Sequence, residues 1–366
     1  MRFPEVGPLL RAALPVAAIG ALVTFLALTL AVAGDTLGYD FLAYHAAAQR
    51  ILDGQPLYDT SVESVGAFGL FFYPPAFLPF ILPFGLLEAD TATWLWLGLL
   101  LAAFLVGVAV LPVSRTIRWV IILLAGLSWP FAYGMKLGQV APLLFLLFAI
   151  GWRWLDDPVR NGASAAIGTA IKAQPGLLLV WMALTRRWRA LVVAVVVLAG
   201  LSGIATLLSG PGAWVDFLTL LRQVNDPIGT VGNMTPGATL YRLGVPAEMA
   251  GWVQLGSTLT VLVLVAVAAL RTTAEASFLV TVIASQLLSP ILWDHYGVLL
   301  LLPVAYLLSA GIGWAVVIPL ATSTILVNVM PPITYPILFY VTLIATIVVG
   351  ARRPASAVAS SQPSLA

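Results

Sequence analysis

Long apolar stretches, separated by short segments that carry arginine, restrict most strongly how this chain can fold. A helix needs roughly 20 apolar residues to cross the hydrocarbon core of a bilayer, and the first stretch, 12–33, already reaches that length. Charged residues make up only 9% of the chain, whereas soluble domains have about 25%. The sequence therefore predicts an all-α protein that crosses a membrane many times.

Twelve apolar segments can be placed along the chain as candidate transmembrane helices. Two short ones meet at Ala173 and Gln174, which we interpret as a break facing a cavity, because irregular backbone at membrane depth is tolerated there. A further piece with four prolines, 71–87, is interpreted as a re-entrant or interfacial element. The twelve segments are 12–33, 91–112, 117–134, 141–155, 161–173, 175–185, 190–209, 249–270, 274–290, 297–309, 312–330 and 336–350.

The distribution of charge predicts the orientation in the membrane. With a cytoplasmic N-terminus and alternating spans, the cytoplasmic side receives twelve of the 17 basic residues but only four of the 15 acidic ones, in agreement with the positive-inside rule. We expect a single membrane domain at 1–350 and a disordered cytoplasmic tail at 351–366. Two long extracytoplasmic loops, 34–90 and 210–248, are then candidates for function, the first with short interfacial helices.

Several kinds of site are excluded by what the chain lacks. It has no cysteine and only two histidines, so a thiolate or histidine-based metal site is not expected. Walker A, dinucleotide and HExxH motifs are absent, so we expect no cofactor. The basic residues lie in short clusters between apolar spans, which argues against nucleic acid as a partner. Heavy use of Ala, Val and Leu, and of Arg over Lys, indicates a GC-rich bacterial genome, so we expect a protein of the bacterial plasma membrane.

The polar stretch GYDFLAYHAAAQRILDGQPLY, at 38–58, follows directly on the first apolar segment. Asp40 starts a helix-sized segment that Gly54 stops, so it could be a helix N-cap. It could equally be a carboxylate held over a cavity at the outer membrane surface. Whether both roles coexist stays open, because a carboxylate that accepts backbone N–H bonds is a weaker base. His45 lies about 140° around the helix from Asp40, so we favour His295 as its partner.

The only two lysines, Lys136 and Lys172, both interrupt apolar sequence and are expected toward the outer half of the bilayer. A lysine at membrane depth usually faces a cavity and marks a substrate path, although snorkelling to the interface is an alternative, above all for Lys136. A glutamine follows each lysine, Gln139 and Gln174. Two cations accompanied by neutral donors suit a phosphate group.

The second histidine, His295, lies in LSPILWDHYGVLLLLP beside Asp294 and Tyr296. One interpretation is an interfacial polar turn with aromatic anchors. The other is a hydrogen-bonding or acid/base partner on the same face as Asp40. The WDHY segment has no metal-ligand spacing, so no metal is expected here.

Several motifs, in this order along about 10–350, resemble glycosyltransferase family 87. They are Asp40 after a first helix, AYHAAAQRILDGQPLYD, FFYPPAFLPFILP, GQVAPLL, IKAQPGLLL with TRRWRAL after it, and LSPILWDHY. The resemblance implies a GT-C fold with about 12 transmembrane helices and a catalytic Asp in the first extracytoplasmic loop. GNMTPGATLYRL is similar to the family's Asn-Gln-Ser-type motif, but Met234 stands where Gln is common.

The resemblance also implies roles for individual residues. Asp40 becomes the catalytic base and His295 the matching active-site histidine. The candidates for binding the donor phosphate are Lys136, Lys172, Gln139 and Arg242. The other residues expected around the substrate cavity are Tyr44, Tyr58, Tyr73, Gln174, Asn233 and Asp294.

The expected activity is transfer of a sugar, most simply mannose, from a polyprenyl phosphate to a glycolipid or polysaccharide hydroxyl in the bilayer. The attack proceeds with inversion, so one carboxylate is enough, and the departing phosphate needs cations rather than an acid. A transporter or flippase would instead move a lipid-linked sugar without forming a glycosidic bond. The acidic outer loops and the lack of internal repeats disfavour it. A structural membrane subunit would tolerate Leu at both lysines.

Overall fold

The computed structural model describes residues 7–61, 69–223, 226–324 and 329–352, which form α-helices and 3₁₀ turns with no β-strand. The all-α prediction is thereby confirmed for this part of the chain. In chain order the helices are α1 (Pro8–Ala31), α2 (Tyr39–Leu52), α3 (Leu78–Ile81), α4 (Ala89–Val110), α5 (Arg115–Gly126), α6 (Trp129–Leu137), α7 (Ala141–Arg153), α8 (Pro158–Ile171), α9 (Leu177–Leu184), α10 (Trp188–Ser209), α11 (Gly212–Gln223), α12 (Pro236–Arg242), α13 (Ala247–Arg271), α14 (Ala274–Leu287), α15 (Leu301–Ser309), α16 (Val317–Thr324) and α17 (Thr334–Arg352).

Five helices are long and apolar enough to cross a membrane, and one bent pair makes a sixth candidate. The other apolar helices of the described chain are shorter than a full crossing, so the count of twelve spans stays a prediction. The predicted tail lies, from 353 onward, outside the described residues. The five candidate spans are Ala12–Ala31, Ala89–Val110, Trp188–Ser209, Ala247–Arg271 and Thr334–Ala351.

The bent pair covers the predicted span at 117–134. There α5 and α6 meet at an angle of 67°. Pro130 lies in the first turn of α6, where its missing N–H and its ring prevent α5 from continuing. Gly126, the last residue of α5, touches α1 so closely that a Cβ there would lie 2.5 Å from the Leu22 nitrogen. The bend carries the end of α6 toward the candidate site described below.

A second break agrees with the sequence. α8 ends at Ile171, Lys172 has extended backbone, and a 3₁₀ turn at Gln174–Gly176 leads into α9. Pro175 lacks the N–H that a continuous helix would use. The predicted break at 173–174 is therefore confirmed, and it leaves Lys172 outside regular helix.

Two helices form the centre of the molecule. Every residue of α15 from Leu301 to Leu308 is buried, as is α14 from Ala276 onward. Helix α10, by contrast, leaves Val192 and Val196 exposed. A helix that is apolar all round is typical of a buried or lipid-facing element, so α14 and α15 are enclosed by protein while α10 faces lipid.

Helix α2 packs against α4 and against the proline-rich segment 71–87. The proline-rich segment folds into short turns over Pro75–Phe77, Leu78–Ile81 and Leu82–Leu86, too short to cross, as the re-entrant interpretation expects. Phe41 stacks on Trp96 of α4 with ring centroids 5.2 Å apart. This packing sets the direction of the first turn of α2, which carries Asp40.

The N-cap interpretation of Asp40 is wrong. Helix α2 begins at Tyr39, and its N-cap is Gly38, which has a left-handed backbone with φ 70°. Gly38 donates its N–H to the Lys136 carbonyl oxygen at 2.7 Å. Asp40 therefore lies inside the first turn, and its carboxylate is left available for a role other than capping. The predicted stop is confirmed, since α2 ends at Leu52 and Gly54 follows with a positive φ.

Candidate active site

A cavity of about 350 Å³ lies where six segments meet: the start of α2, the 70–73 segment, the end of α6, the break after α8, and the segments 231–234 and 291–296. These segments are separated in the chain, so the fold brings them together. The polar and aromatic residues around it are Tyr39, Asp40, Tyr44, Phe72, Tyr73, Tyr133, Gln139, Lys172, Trp293, Asp294, His295 and Tyr296.

Asp40 is half-buried in this cavity and is held by one neighbour. The Gln139 amide nitrogen donates a hydrogen bond to its Oδ2. Loss of water on burial raises the pKa of Asp40 above its ordinary value, and the nearby His295 and the Gln139 hydrogen bond partly oppose this rise. The result is a carboxylate that binds a proton more strongly than a solvated Asp does.

A chain of hydrogen bonds runs from Tyr44 through Tyr73 and Gln139 to Asp40. The Tyr44 hydroxyl donates to the Tyr73 hydroxyl at 2.6 Å, and Tyr73 donates to the Gln139 amide oxygen at 3.1 Å. Burial raises the pKa of Tyr73 to about 12, so its hydroxyl stays protonated and keeps donating. Gln139 thus holds its amide in one orientation, with the nitrogen toward Asp40.

This chain of hydrogen bonds directs the Gln139 amide toward the Asp40 carboxylate. The expectation that Gln139 binds a donor phosphate stays a prediction, because its amide oxygen and one nitrogen hydrogen are already used within the protein. Gln139 follows Gly138, whose left-handed backbone ends α6. The Gln139 N–H bonds the Gly134 carbonyl oxygen at 2.9 Å, so the turn itself is firmly closed.

Lys172 contributes the cationic side of the cavity. Its ammonium nitrogen lies 4.2 Å from the centroid of the Tyr296 ring and 5.4 Å from that of Tyr73. Two aromatic faces stabilise a cation without neutralising it. The ammonium therefore keeps its charge available to an anion that enters the cavity.

His295 is buried, with 3% of its surface exposed, yet neither ring nitrogen has a hydrogen-bond partner among the described residues. Its Nδ1 lies 3.6 Å from the Asp294 carboxylate, beyond hydrogen-bond distance. Its ring is parallel to Trp293, at 14°. A buried, unsatisfied polar group is costly, so an imidazole at a cavity wall is a natural contact for a ligand.

Asn233 ties the segment around 227–235 to the 291–296 segment, and it does not line the cavity where the sequence had placed it. Its amide nitrogen donates to the Pro227 and Pro290 carbonyl oxygens, at 2.5 and 3.1 Å. Its oxygen accepts from the backbone N–H groups of Thr235 and Leu292, at 2.9 and 3.0 Å. With both donors and both lone pairs used, Asn233 positions the histidine segment from behind.

Two other predicted cavity residues also lie behind the wall. The Tyr58 hydroxyl donates to the Tyr73 carbonyl oxygen at 2.6 Å and is buried. The Gln174 amide nitrogen donates to the Ser289 hydroxyl at 2.5 Å. Neither side chain lines the cavity, because each is turned toward a partner distant in sequence.

Two predicted phosphate ligands lie outside the cavity as well. The Lys136 ammonium lies 5.4 Å from the Tyr133 ring centroid and does not line the cavity. Arg242 is exposed, and its guanidinium lies 3.3 Å from the sulfur of Met234, a cavity-wall residue. Lys172 is therefore the predicted cation that the described structure places in the cavity.

The two histidines lie in different surroundings, and the partnership of His295 with Asp40 stays a prediction. The Nε2–H of His45 donates to the Leu87 carbonyl oxygen at 2.9 Å, and His45 does not line the cavity, whereas His295 does. The sequence missed Tyr296 as a cavity residue. Its adjacency to His295 was visible, but its contact with Lys172 depends on the fold. Among the described residues, no three His, Asp or Glu side chains are grouped to hold a metal ion.

Comparison with known proteins gives two matches. The sequence profile of glycosyltransferase family 87 matches residues 71–292, a range that includes Gln139 and Lys172 but ends before His295. A polyprenol-phosphate-mannose-dependent alpha-(1-2)-phosphatidylinositol mannoside mannosyltransferase of Mycobacterium tuberculosis is 28% identical over 308 residues, covering 75% of this chain and 70% of the relative. No solved structure matches the chain.

Proposed function

The chain belongs to glycosyltransferase family 87, and from this premise we propose that it transfers mannose from a polyprenyl phosphate to a glycolipid or glycan hydroxyl. That it is a membrane-embedded glycosyltransferase follows from the family and the apolar helices. The donor is supported by the name of the mycobacterial relative. The observation that carries the proposal is the pairing of Asp40 with Lys172 around one cavity.

In the proposed reaction the acceptor oxygen attacks the anomeric carbon from the side opposite the phosphate. The new carbon–oxygen bond forms as the bond to the phosphate oxygen breaks, which inverts the anomeric centre. Asp40 takes the acceptor proton, and polyprenyl phosphate departs with the bonding electrons. A single positioned carboxylate is sufficient as base for such a displacement.

The environment of Asp40 suits a base. Its raised pKa increases its affinity for the acceptor proton, while the Gln139 hydrogen bond fixes the direction of the carboxylate. A catalytic base works best when its pKa approaches the working pH without exceeding it. Gln139 therefore acts through Asp40, as a positioning residue.

Lys172 is the proposed contact for the donor phosphate. Charge that accumulates on the departing phosphate is stabilised by a fixed cation, and this kind of electrostatic stabilisation is usually a large part of catalysis. The aromatic rings of Tyr73 and Tyr296 hold the ammonium in place. His295, with its unpartnered ring, is assigned to the acceptor hydroxyl or to the sugar.

The proposed orientation follows the charge distribution. We assign a GT-C fold in one membrane domain at 1–350, with both termini cytoplasmic and the cavity extracytoplasmic, in a bacterial plasma membrane. The cavity is built largely from the predicted outer segments 34–90, 210–248 and 291–296. The helix-capping residues Ser114, Asp157 and Thr273 all lie in predicted cytoplasmic loops.

Purified protein in vesicles, given radiolabelled polyprenyl phosphate mannose and glycolipid extract, tests the activity. We expect a labelled glycolipid of inverted anomeric configuration and no product when GDP-mannose replaces the lipid donor. Movement of the donor across the vesicle membrane without a glycosidic product would indicate a flippase and contradict the proposal.

A further inference from the structure

A second cavity, of about 430 Å³, lies between the start of α8 and the turn that joins α9 to α10. Its charged and aromatic wall, which we name the arginine pocket, consists of Asp156, Arg186, Arg187, Trp188 and Arg189. Three cations thus face one carboxylate in a concave site that the proposed transfer reaction does not use.

The arginine pocket is separate from the candidate active site. Helix α8 has 14 residues, with the pocket at its first turn and Lys172 directly after its last. At a rise of 1.5 Å per residue the two sites lie roughly 20 Å apart. A ligand of the arginine pocket is therefore a different molecule, or a different part of one, from anything that contacts Lys172.

The position of the arginine pocket relative to the bilayer follows from α10. This helix is a candidate membrane span that begins at Trp188, so the pocket lies where the chain enters the membrane. Trp188 is 57% exposed, and tryptophan is enriched at membrane interfaces. Val192 and Val196, one and two turns further on, are also exposed and apolar.

Arg187 and Asp156 build the wall of the pocket. The Arg187 guanidinium donates to the Leu155 carbonyl oxygen at 2.7 Å and to the Asp156 carboxylate at 3.1 Å, and it also stacks on Trp181 at 5.3 Å. These contacts neutralise Asp156 locally and hold Arg187 in place. The two remaining arginines are thereby left without a carboxylate to balance them.

Arg186 is held in a backbone conformation that does not suit it. Its φ is 57°, in the left-handed region, directly after the C-cap of α9. The N–H groups of Arg186 and Arg187 bond the Ala183 and Met182 carbonyl oxygens, at 3.1 and 2.8 Å, in the pattern of a Schellman motif, where glycine is usual. An arginine at this position costs free energy that glycine would avoid.

The side chains of Arg186 and Arg189 are exposed, and they make no hydrogen bond or ion pair with the described residues. The strained arginine therefore gains no stabilising partner from the protein itself. Strain that persists without local benefit is a pointer to function. Guanidinium groups bind phosphate oxygens in pairs, which indicates a phosphate ligand.

We propose that the arginine pocket binds the phosphate headgroup of an anionic phospholipid. Arg186 and Arg189 contact the phosphate, Arg187 holds the wall, and the acyl chains lie along the exposed apolar face of α10. A lipid is favoured over free phosphate because the pocket continues directly into that lipid-facing surface. Basic pockets at helix ends on the cytoplasmic side recognise anionic headgroups in this way.

The test measures lipid binding to the full chain in neutral detergent, by native mass spectrometry with phosphatidylglycerol, phosphatidylcholine or inorganic phosphate. We expect phosphatidylglycerol to be retained in preference to phosphatidylcholine and not to be displaced by inorganic phosphate. Replacing two interfacial cations, in Arg186→Gly/Arg189→Ala, should weaken phosphatidylglycerol binding about 30-fold. The readout does not depend on sugar transfer, so it stands apart from the proposed function.

The control variant is Arg271→Ala, which removes an exposed arginine at another predicted cytoplasmic helix end and should leave binding unchanged. Arg186→Gly removes its charge at a position that favours glycine, so the thermal stability without lipid should not fall. Equal retention of the two lipids, unchanged binding in the double variant, or displacement by inorganic phosphate would each overturn the lipid proposal.

Discussion

Two helix breaks in this protein carry similar residues and contribute to the candidate active site in opposite ways. After α6, Gln139 reaches the cavity while Lys136 lies outside it; after α8, Lys172 reaches the cavity while Gln174 bonds Ser289 behind the wall. In the sequence each pair offers a cation and a neutral donor that suit a phosphate. In the structure, the break after α6 supplies the Gln139 amide that bonds the Asp40 carboxylate, and the break after α8 supplies the Lys172 ammonium.

The backbone explains the difference. Lys136 lies in the last turn of α6, before the left-handed Gly138 reverses the chain, so Lys136 and Gln139 leave the turn in different directions. Lys172 has extended backbone, with φ −148° and ψ 135°, and projects directly from the helix end. A charged residue at a break therefore marks a site only when the local backbone aims it there.

The largest expected effect concerns the cavity between the two breaks. Asp40→Asn should lower kcat for mannosyl transfer about 10³-fold, because the amide cannot take the acceptor proton. The substitution keeps the size of the side chain and an oxygen that can accept from Gln139. Initial rates with labelled donor measure the effect, with Asp35→Asn, an exposed acid of the same loop, as the matched control. Unimpaired turnover of Asp40→Asn would remove it as the base.

Substitutions of the two lysines should then differ in their effect on activity. Lys172→Met should reduce kcat/KM about 10²-fold through loss of the charge at the departing phosphate, whereas Lys136→Met should stay near wild type. In both variants methionine keeps the length of the side chain and removes its charge. The melting temperatures of both variants are measured alongside the rates, so that a loss of activity is not confused with a loss of stability. Equal losses in the two variants would abolish the contrast between the breaks.

For the two glutamines, the larger loss of activity should instead come from the break after α6. Gln139→Leu removes a hydrogen bond to a charged group and should reduce kcat about tenfold. Gln174→Leu should mainly lower the melting temperature, since its amide bonds the Ser289 and Tyr296 hydroxyls, at 2.5 and 3.5 Å, and does not itself line the cavity. A loss of activity confined to Gln174→Leu would mean that the assignments of the two glutamines are interchanged.

The smallest effect is a shift in pH dependence. Activity requires the Asp40 carboxylate, so it should fall as pH drops through a pKa that lies above the ordinary 3.8 of Asp. The Gln139 hydrogen bond lowers this pKa, so Gln139→Leu should move the acidic limb of the kcat/KM profile to higher pH. An acidic limb that stays in place in Gln139→Leu would show that this bond does not act on the base.

Much of this arrangement could be predicted from sequence, and the limits have physical causes. The break before Gln174 follows from apolar length and Pro175, and the presence of Asp40 and His295 in one cavity follows from polar residues in outer segments. The structural role of Asn233 could not be predicted, since it depends on bonds to Pro290 and Leu292 more than 50 residues away. The bend between α5 and α6 was missed because the hydropathy of 117–134 is continuous, although Pro130 marks the position where α6 begins.

The binding of polyprenyl phosphate, without sugar or acceptor, tests most directly whether the donor phosphate lies at Lys172. The dissociation constant is to be measured for the wild type and for the Lys172→Met, Lys136→Met and Asp40→Asn variants. The account predicts about 10- to 100-fold weaker binding in Lys172→Met, from the loss of one charge-assisted contact, and unchanged or tighter binding in the other two. Undiminished binding in Lys172→Met, or an equal loss in Lys136→Met, would contradict it.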